Sequence, residues 1–277
     1  MSDSVPSELL SGLSEGRVIP FVGPGVLRLS ATHLPDSREA LCERLVARTS
    51  VPPKLRRNLT GAAQFIENFK HRKTLAQGMT EAFAAGGEPS RLHGLLAAAA
   101  PPMWVHTWYD DLPRRALSGR SDWGTVQGVS QAEHQGEWTR WYDTSGAVAV
   151  PEACAQWSTL LYEPLGSSHP AANWLVSDSD FVEVLTEIDI QTPIPDRVKE
   201  LRAGRSFLFL GCRFDNQLDR IWAHQVIKRS SDLHWAVLPE APTRNERKFL
   251  EEHGIVRLEI SLEEFEESLA GGARKAA

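Results

Sequence analysis

Four stretches of the chain hold residues whose types and spacing could do chemistry. Gly23-Pro24-Gly25 ends the apolar run Val18 to Val22. A short apolar run closed by turn residues reads as a buried parallel strand. Glycine after such a strand lets the backbone turn sharply and come near a ligand with no Cβ in the way. Strand, glycine loop and helix are how nucleotide-binding α/β folds offer backbone N–H groups to a pyrophosphate. A full dinucleotide fingerprint has a third glycine three residues after Gly25, where this chain has Arg28. Gly23, Pro24, Gly25 and Val26 are therefore either phosphate contacts or a plain tight turn.

The second stretch, His106-Thr107-Trp108-Tyr109-Asp110-Asp111-Leu112, follows the apolar run from Met103. His106 sits at a strand end, where ligands bind in open α/β sheets, with no acid read beside it in sequence. Trp108 is either an apolar plug or a stacking platform for a ring. The third stretch runs from Glu163 through Leu165, Gly166 and Ser167 to His169. His169 is either a surface residue or a general base. The fourth is Leu208 to Asp215, with Gly211 at a strand end and Cys212 after it. Cys212 has no adjacent base and reads as a small apolar filler rather than a nucleophile. Asp215 either bonds a ribose hydroxyl or caps the following helix.

The elements that must position these residues alternate between strand and helix. Strands are expected at 18–22, 103–107, 157–162, 174–177, 206–211, 234–238 and 256–260 from their apolar runs. A short helix precedes the first strand, at 6–14. Four helices are expected between residues 36 and 100, the first capped by Asp36 with Glu39 three residues on. That is more helix than one crossover needs, and it reads as a helical module laid against the sheet. Later helices are expected through Ala116, from Asp178, after Asp215, at 246–253 and at 263–269. Residues 118–148 are polar and read as a long insertion, with an apolar scrap at Val126 and Val129 that is strand or loop. Trp123, Trp138 and Trp141 within it form either a local core or a partner surface. The fold class expected is α/β, a doubly wound, mainly parallel Rossmann-like sheet. One domain spans 1–270, with a frayed tail at 271–277.

Composition narrows the function classes. The 277 residues include 42% hydrophobic and 24% charged side chains, with a net charge of -6. That balance argues against sequence-independent binding to nucleic acid or anionic lipid. No stretch has the length and apolarity of a membrane span or an export signal, so a cytoplasmic, membrane-free protein is expected. Three widely spaced cysteines, Cys42, Cys154 and Cys212, fit neither a disulfide framework nor a zinc site. No metal is expected.

The order of these pieces resembles the sirtuin-like family, in particular its prokaryotic NAD-hydrolysing and NAD-binding branch. Gly23-Pro24-Gly25-Val26-Leu27 stands where that family has Gly-Ala-Gly-x-Ser. Thr107-Trp108-Tyr109-Asp110 stands at Thr-Asn-Tyr-Asp, and Glu163-Pro164-Leu165-Gly166-Ser167 at Lys-Leu-His-Gly-Ser. Leu208 to Asp215 matches Leu-Phe-Leu-Gly-x-x-x-Asp. The resemblance implies a ligand, NAD, ADP-ribose or a related adenine nucleotide, contacted by Gly23, Pro24, Gly25, Val26, Thr107, Trp108, Asp110, Gly166, Ser167, Gly211, Cys212 and Asp215. The departures fall on the chemistry. The family's water-positioning Asn is Trp108 here, and its general-base His is Leu165. Indole donates one hydrogen bond and accepts none, and leucine takes no proton. Hydrolysis by the family's route is therefore not expected. The expectation is a sensor or a subunit of a larger assembly, with a protein partner or homo-oligomer, in the anti-phage setting the resemblance implies. The alternatives are an NAD hydrolase using His169 or His106, and a ligand-free interaction scaffold.

Overall fold

The structure, a computed structural model, describes residues 5–187 and 194–276, without the side chains of 273–276. Eleven strands are present among these residues: Val18–Val22 (β1), Met103–His106 (β2), Trp123–Gly128 (β3), Thr139–Tyr142 (β4), Val148–Ala149 (β5), Thr159–Glu163 (β6), Gly166–Ser167 (β7), Asn173–Trp174 (β8), Ser206–Leu210 (β9), His234–Val237 (β10) and Ile255–Leu258 (β11). β7 and β8 form a small antiparallel pair. The other nine form one sheet in the order β11-β10-β9-β1-β2-β6-β3-β4-β5. Every ladder from β11 to β3 is parallel, and the β3–β4 and β4–β5 ladders are antiparallel.

β1 is buried along its whole length because helices cover both faces of the sheet. It pairs with β9 over all five residues but with β2 only at Phe21 and Val22. Pro20 accounts for the difference. Thr107 N–H donates to Val22 C=O while Gly23 N–H donates to Leu210 C=O, so even-numbered residues of β1 face β2. The N–H that Pro20 lacks falls on that ladder.

The helices are Ser7–Ser14 (α1), Arg38–Arg48 (α2), Leu59–Lys70 (α3), Arg72–Phe83 (α4), Arg91–Ala98 (α5), Leu112–Leu117 (α6), Ala132–Gln135 (α7), Asp178–Glu187 (α8), Asp196–Arg202 (α9), Gln217–Ile227 (α10), Arg244–Glu252 (α11) and Leu262–Ala276 (α12). Alternate strand residues feed two cores. Ile19, Phe21, Val105 and Phe209 pack with α2, α3, α4, α8, α9 and α10. Val18, Val22, Trp104 and Leu210 pack with α1, α5, α6 and α12. The helical module is thus divided, with α5 on the face opposite α2 to α4. Asp36 does not cap α2. Ser37 does, accepting from Ala40 N–H at 3.2 Å, while Asp36 pairs with Arg28.

The polar segment 118–148 is built largely as sheet. It supplies β3 beside β6 and then turns back through β4 and β5 to finish that edge. The scrap at Val126 is strand. Trp123 is buried in the second core beneath the Arg114 guanidinium, 5.0 Å from its ring centroid. Trp141 is buried against Trp157, and Trp138 packs on the first core. Trp123 and Trp141 are core, and Trp138 is half-buried against it. α12 runs on into the C-terminal tail as far as Ala276, and Ala277 lies outside the described residues.

Candidate functional site

β1, β2, β9 and β10 end on one side of the sheet, and a cavity of about 450 Å³ opens there. β1 has β2 on one flank and β9 on the other, so the cavity lies at the switch in strand order where α/β sheets bind ligands. Its volume is within the roughly 300–1,000 Å³ of small-molecule sites. Of the residues expected to touch a ligand, Pro24, Gly25, Thr107, Trp108, Gly211, Cys212 and Asp215 line it, and Leu165 joins them. Gly23, Val26, Asp110, Gly166 and Ser167 do not.

The glycines have a reason that involves no ligand. A Cβ on Gly23 would lie 2.8 Å from Gly211 O and from Cys212 Sγ, and one on Gly25 would lie 2.9 Å from Gly211 O. Gly211 has φ +64°, and its own Cβ would come within 2.4 Å of Val26 N. The loops after β1 and β9 therefore interlock backbone to backbone, which only glycine permits. Amides of the loop after β1 are also engaged. Gly23 N–H donates to Leu210 O and Gly25 N–H to Gly211 O, both at 2.9 Å, and Val26 N–H donates to Gly23 O at 3.4 Å. Pro24 has no N–H. This self-satisfied turn walls the cavity.

Helix starts complete the rim. The first turns of α2, α10 and α12 all border the cavity, through Ser37 to Glu39, Asp219, and Leu262 with Glu263. Each helix is capped by a side chain: Ser37, Asn216, and Ser261 reciprocally with Glu264. Asn216 accepts from Leu218 N–H at 2.7 Å, so Asp215 is not the cap of α10. It stands exposed at the cavity edge. Helix N-termini carry roughly half a positive charge each, and the acids in these first turns answer it. Arg38 pairs with Asp219 at 3.0 Å. Burial pushes the Asp219 carboxyl up, and Arg38 opposes that push.

Trp108 and Leu165 form the apolar wall. Trp108 is 2% exposed. Its indole N–H donates to Pro35 O at 2.7 Å, and its ring packs against Tyr109 and Phe83, with centroids 5.1 and 6.2 Å away. Tyr109 is itself held by a 2.6 Å bond from its hydroxyl to Leu175 O. The indole is pinned in place as filler. Cys212 is pinned too. Burial, with Asp219 adding to it, pushes its thiol up and out of the nucleophilic range.

His106 does not face the cavity. It is buried on the second-core face, in one row with Val22 of β1, Glu163 of β6 and Gln127 of β3. Contrary to the sequence reading, acids flank it. Nε2 meets Asp110 Oδ2 at 3.1 Å, and Nδ1 lies 3.7 Å from Glu163 Oε1. Gln127 Nε2 donates to Glu163 Oε2 at 2.9 Å. Burial would push the imidazole down, but Asp110 and Glu163 prevail and hold it up at about 9. Burial would likewise raise Asp110, and His106 holds it below the usual carboxylate range. Asp110 also accepts from Leu112 N–H at 3.0 Å, ending the loop before α6. It is buried away from the cavity lining. Gly166 and Ser167 form β7, where Ser167 Oγ donates to Asp110 O at 3.1 Å. His169 is exposed, 3.6 Å from Asp111, and does not line the cavity.

Glu163 and Gln127 escaped the sequence reading. A signal existed, because Glu163 is a charge at the end of an otherwise apolar run. Its partners lie in segments 36 and 57 residues away, beyond any local pattern. Among the described residues, no group of three or more His, Cys, Asp or Glu could hold a metal ion, and no helix is long and apolar enough to cross a membrane. The cavity has the size and the place of a small-molecule site. A family model described as a SIR2-like domain matches residues 102–258, more than half of the chain. No curated protein matches it.

Proposed function

Because the chain belongs to the SIR2-like domain family, we propose that its crevice binds NAD, ADP-ribose or a related adenine nucleotide and does not hydrolyse it. One observation carries this reading. The wall that closes the crevice between β2 and β6 is Trp108, pinned to Pro35, beside Leu165, and no histidine is among the residues that line the cavity. A positioned base contributes typically 10²–10⁴-fold to a hydrolysis. Neither wall residue can accept a proton or orient a water for attack. His106 is sealed beneath the sheet terminus, and His169 is on the surface, so neither supports a hydrolase. The donors left to hold a ligand are the first-turn amides of α2, α10 and α12. Phe21, Phe181, Phe214 and Trp222 supply apolar surface around a base or sugar. A binder without turnover serves as a sensor or as one subunit of a larger assembly.

Calorimetry with NAD and ADP-ribose tests the reading. Since Trp108 fills the end of the crevice, ADP-ribose is expected to bind at least as tightly as NAD. Trp108→Asn, checked for folding by circular dichroism, is expected to raise NAD affinity relative to ADP-ribose. A fall in that ratio by roughly 1–3 kcal/mol, the scale of an aromatic–base stack, would make Trp108 a platform instead. Failure of both ligands to bind at millimolar concentration would remove the proposed function.

A further inference from the structure

The charge around the cavity departs from what a nucleotide phosphate would select. Six carboxylates line it, Asp36, Glu39, Asp215, Asp219, Glu240 and Glu263, against three guanidiniums, Arg28, Arg38 and Arg213. Each arginine is already paired: Arg28 with Asp36 at 2.9 Å, Arg38 with Asp219 at 3.0 Å, and Arg213 with Glu246 at 3.0 Å as well as with Glu240. Glu39, Asp215 and Glu263 are exposed, and among the described residues none of the three forms a close ion pair, though Asp215 lies near enough to Arg213 to help hold its guanidinium charged. Six carboxylates against three guanidiniums leave three negative charges. Three helix starts return roughly 1.5 positive charges. The balance remains negative, and the Gly23, Gly25 and Val26 amides that would offset it are bonded to protein carbonyls.

We infer that Glu39, Asp215 and Glu263 set an upper limit on ligand charge, so that the crevice takes an adenine nucleotide through its base and sugars and rejects added phosphates. The inference rests on the proposed function and narrows it to weakly anionic nucleotides, ADP-ribose rather than ATP. Two unit charges about 10 Å apart in water interact by roughly a factor of two in affinity at low salt. ATP carries about two more negative charges than ADP-ribose. Against a residual of one to two charges, the repulsions compound to roughly tenfold. Because they are exposed, added salt weakens them over a Debye length of about 10 Å at 0.1 M.

The test is calorimetry of ADP-ribose and ATP with the full chain, in EDTA to keep divalent cations from masking the triphosphate, at low and at 0.5 M salt. ATP is expected to bind about tenfold more weakly than ADP-ribose at low salt and to approach it at high salt. The triple variant Glu39→Gln, Asp215→Asn, Glu263→Gln alters only exposed side chains and is expected to bring ATP within about threefold of ADP-ribose at low salt. ATP binding as tightly as ADP-ribose, or losing affinity as salt rises, would overturn the charge limit and leave the proposed function standing. So would a triple variant that keeps the tenfold gap. If neither nucleotide binds, the proposed function and the charge limit fall together.

Discussion

At β1 and β9 the strand termini open onto a cavity, whereas at β2, β6 and β3, one to three strands away in the same sheet, they close over buried charge. The open end is made of glycines packed backbone to backbone, and its ion pairs, Arg28 with Asp36 and Arg38 with Asp219, line the cavity. The closed end is His106 between Asp110 and Glu163, with no side chain of the three more than 2% exposed. Both lie where an α/β sheet can do chemistry. The difference shows that strand ends give only the place. What happens there depends on whether polar groups have partners inside the protein or are left facing a space.

The closed end breaks hardest. His106→Leu leaves two buried carboxylates without their cation, and losing one partner of a buried pair typically costs about 3–5 kcal/mol. Urea unfolding is expected to show that loss. A change under 1 kcal/mol would mean that the cluster is not charged as described. The pH dependence follows from the same groups. The imidazole is held up at about 9 against an ordinary 6.5, so its contribution to stability is complete below about pH 6.5 and lost as pH rises through 9. Asp110 is held below its ordinary 3.8, so its contribution is present above that value and lost as pH falls beneath it. His93, on α5 beside this cluster, is pushed down to about 4 by burial and stays neutral between these limits. A melting temperature that rose steadily from pH 8 to 10 would contradict the assignment.

At the open end, Gly211→Ala puts a Cβ against Val26 N in a left-handed backbone. Strain and overpacking together are expected to cost roughly 2–4 kcal/mol, again read by urea. Gly25→Val meets the same obstacle at Gly211, so it cannot separate ligand binding from folding. Trp108→Phe keeps most of the wall and deletes the bond to Pro35, for an expected loss of about 1 kcal/mol. His169→Ala is expected to change stability by less than about 0.5 kcal/mol and to leave nucleotide affinity unchanged. A measurable effect on binding would bring that loop back to the crevice.

Much of the architecture was legible in sequence because buried parallel strands are continuous apolar runs, as in Val18 to Val22 and Phe207 to Leu210. β3 and β4 were hidden because they carry Gln127, Thr125 and Arg140 among their tryptophans, and their pairing is set by neighbours rather than by local pattern. The crevice was legible through Gly25, Trp108 and Gly211. The reason for the glycine loop was not legible, since a turn that cradles phosphate and a turn that abuts another turn need the same absence of a Cβ. Asp110 was misplaced for a similar cause. It sits two residues past Trp108, but the chain reverses there and carries it to the opposite face, against His106.

The central claim, a SIR2-like crevice that holds its nucleotide without cleaving it, is tested most directly by one ligand-observed NMR experiment on NAD with the purified protein. Saturation transfer to the adenine protons is expected, and the signals of free nicotinamide are expected not to grow above a protein-free control over a day. Free nicotinamide accumulating in proportion to protein concentration would contradict the claim.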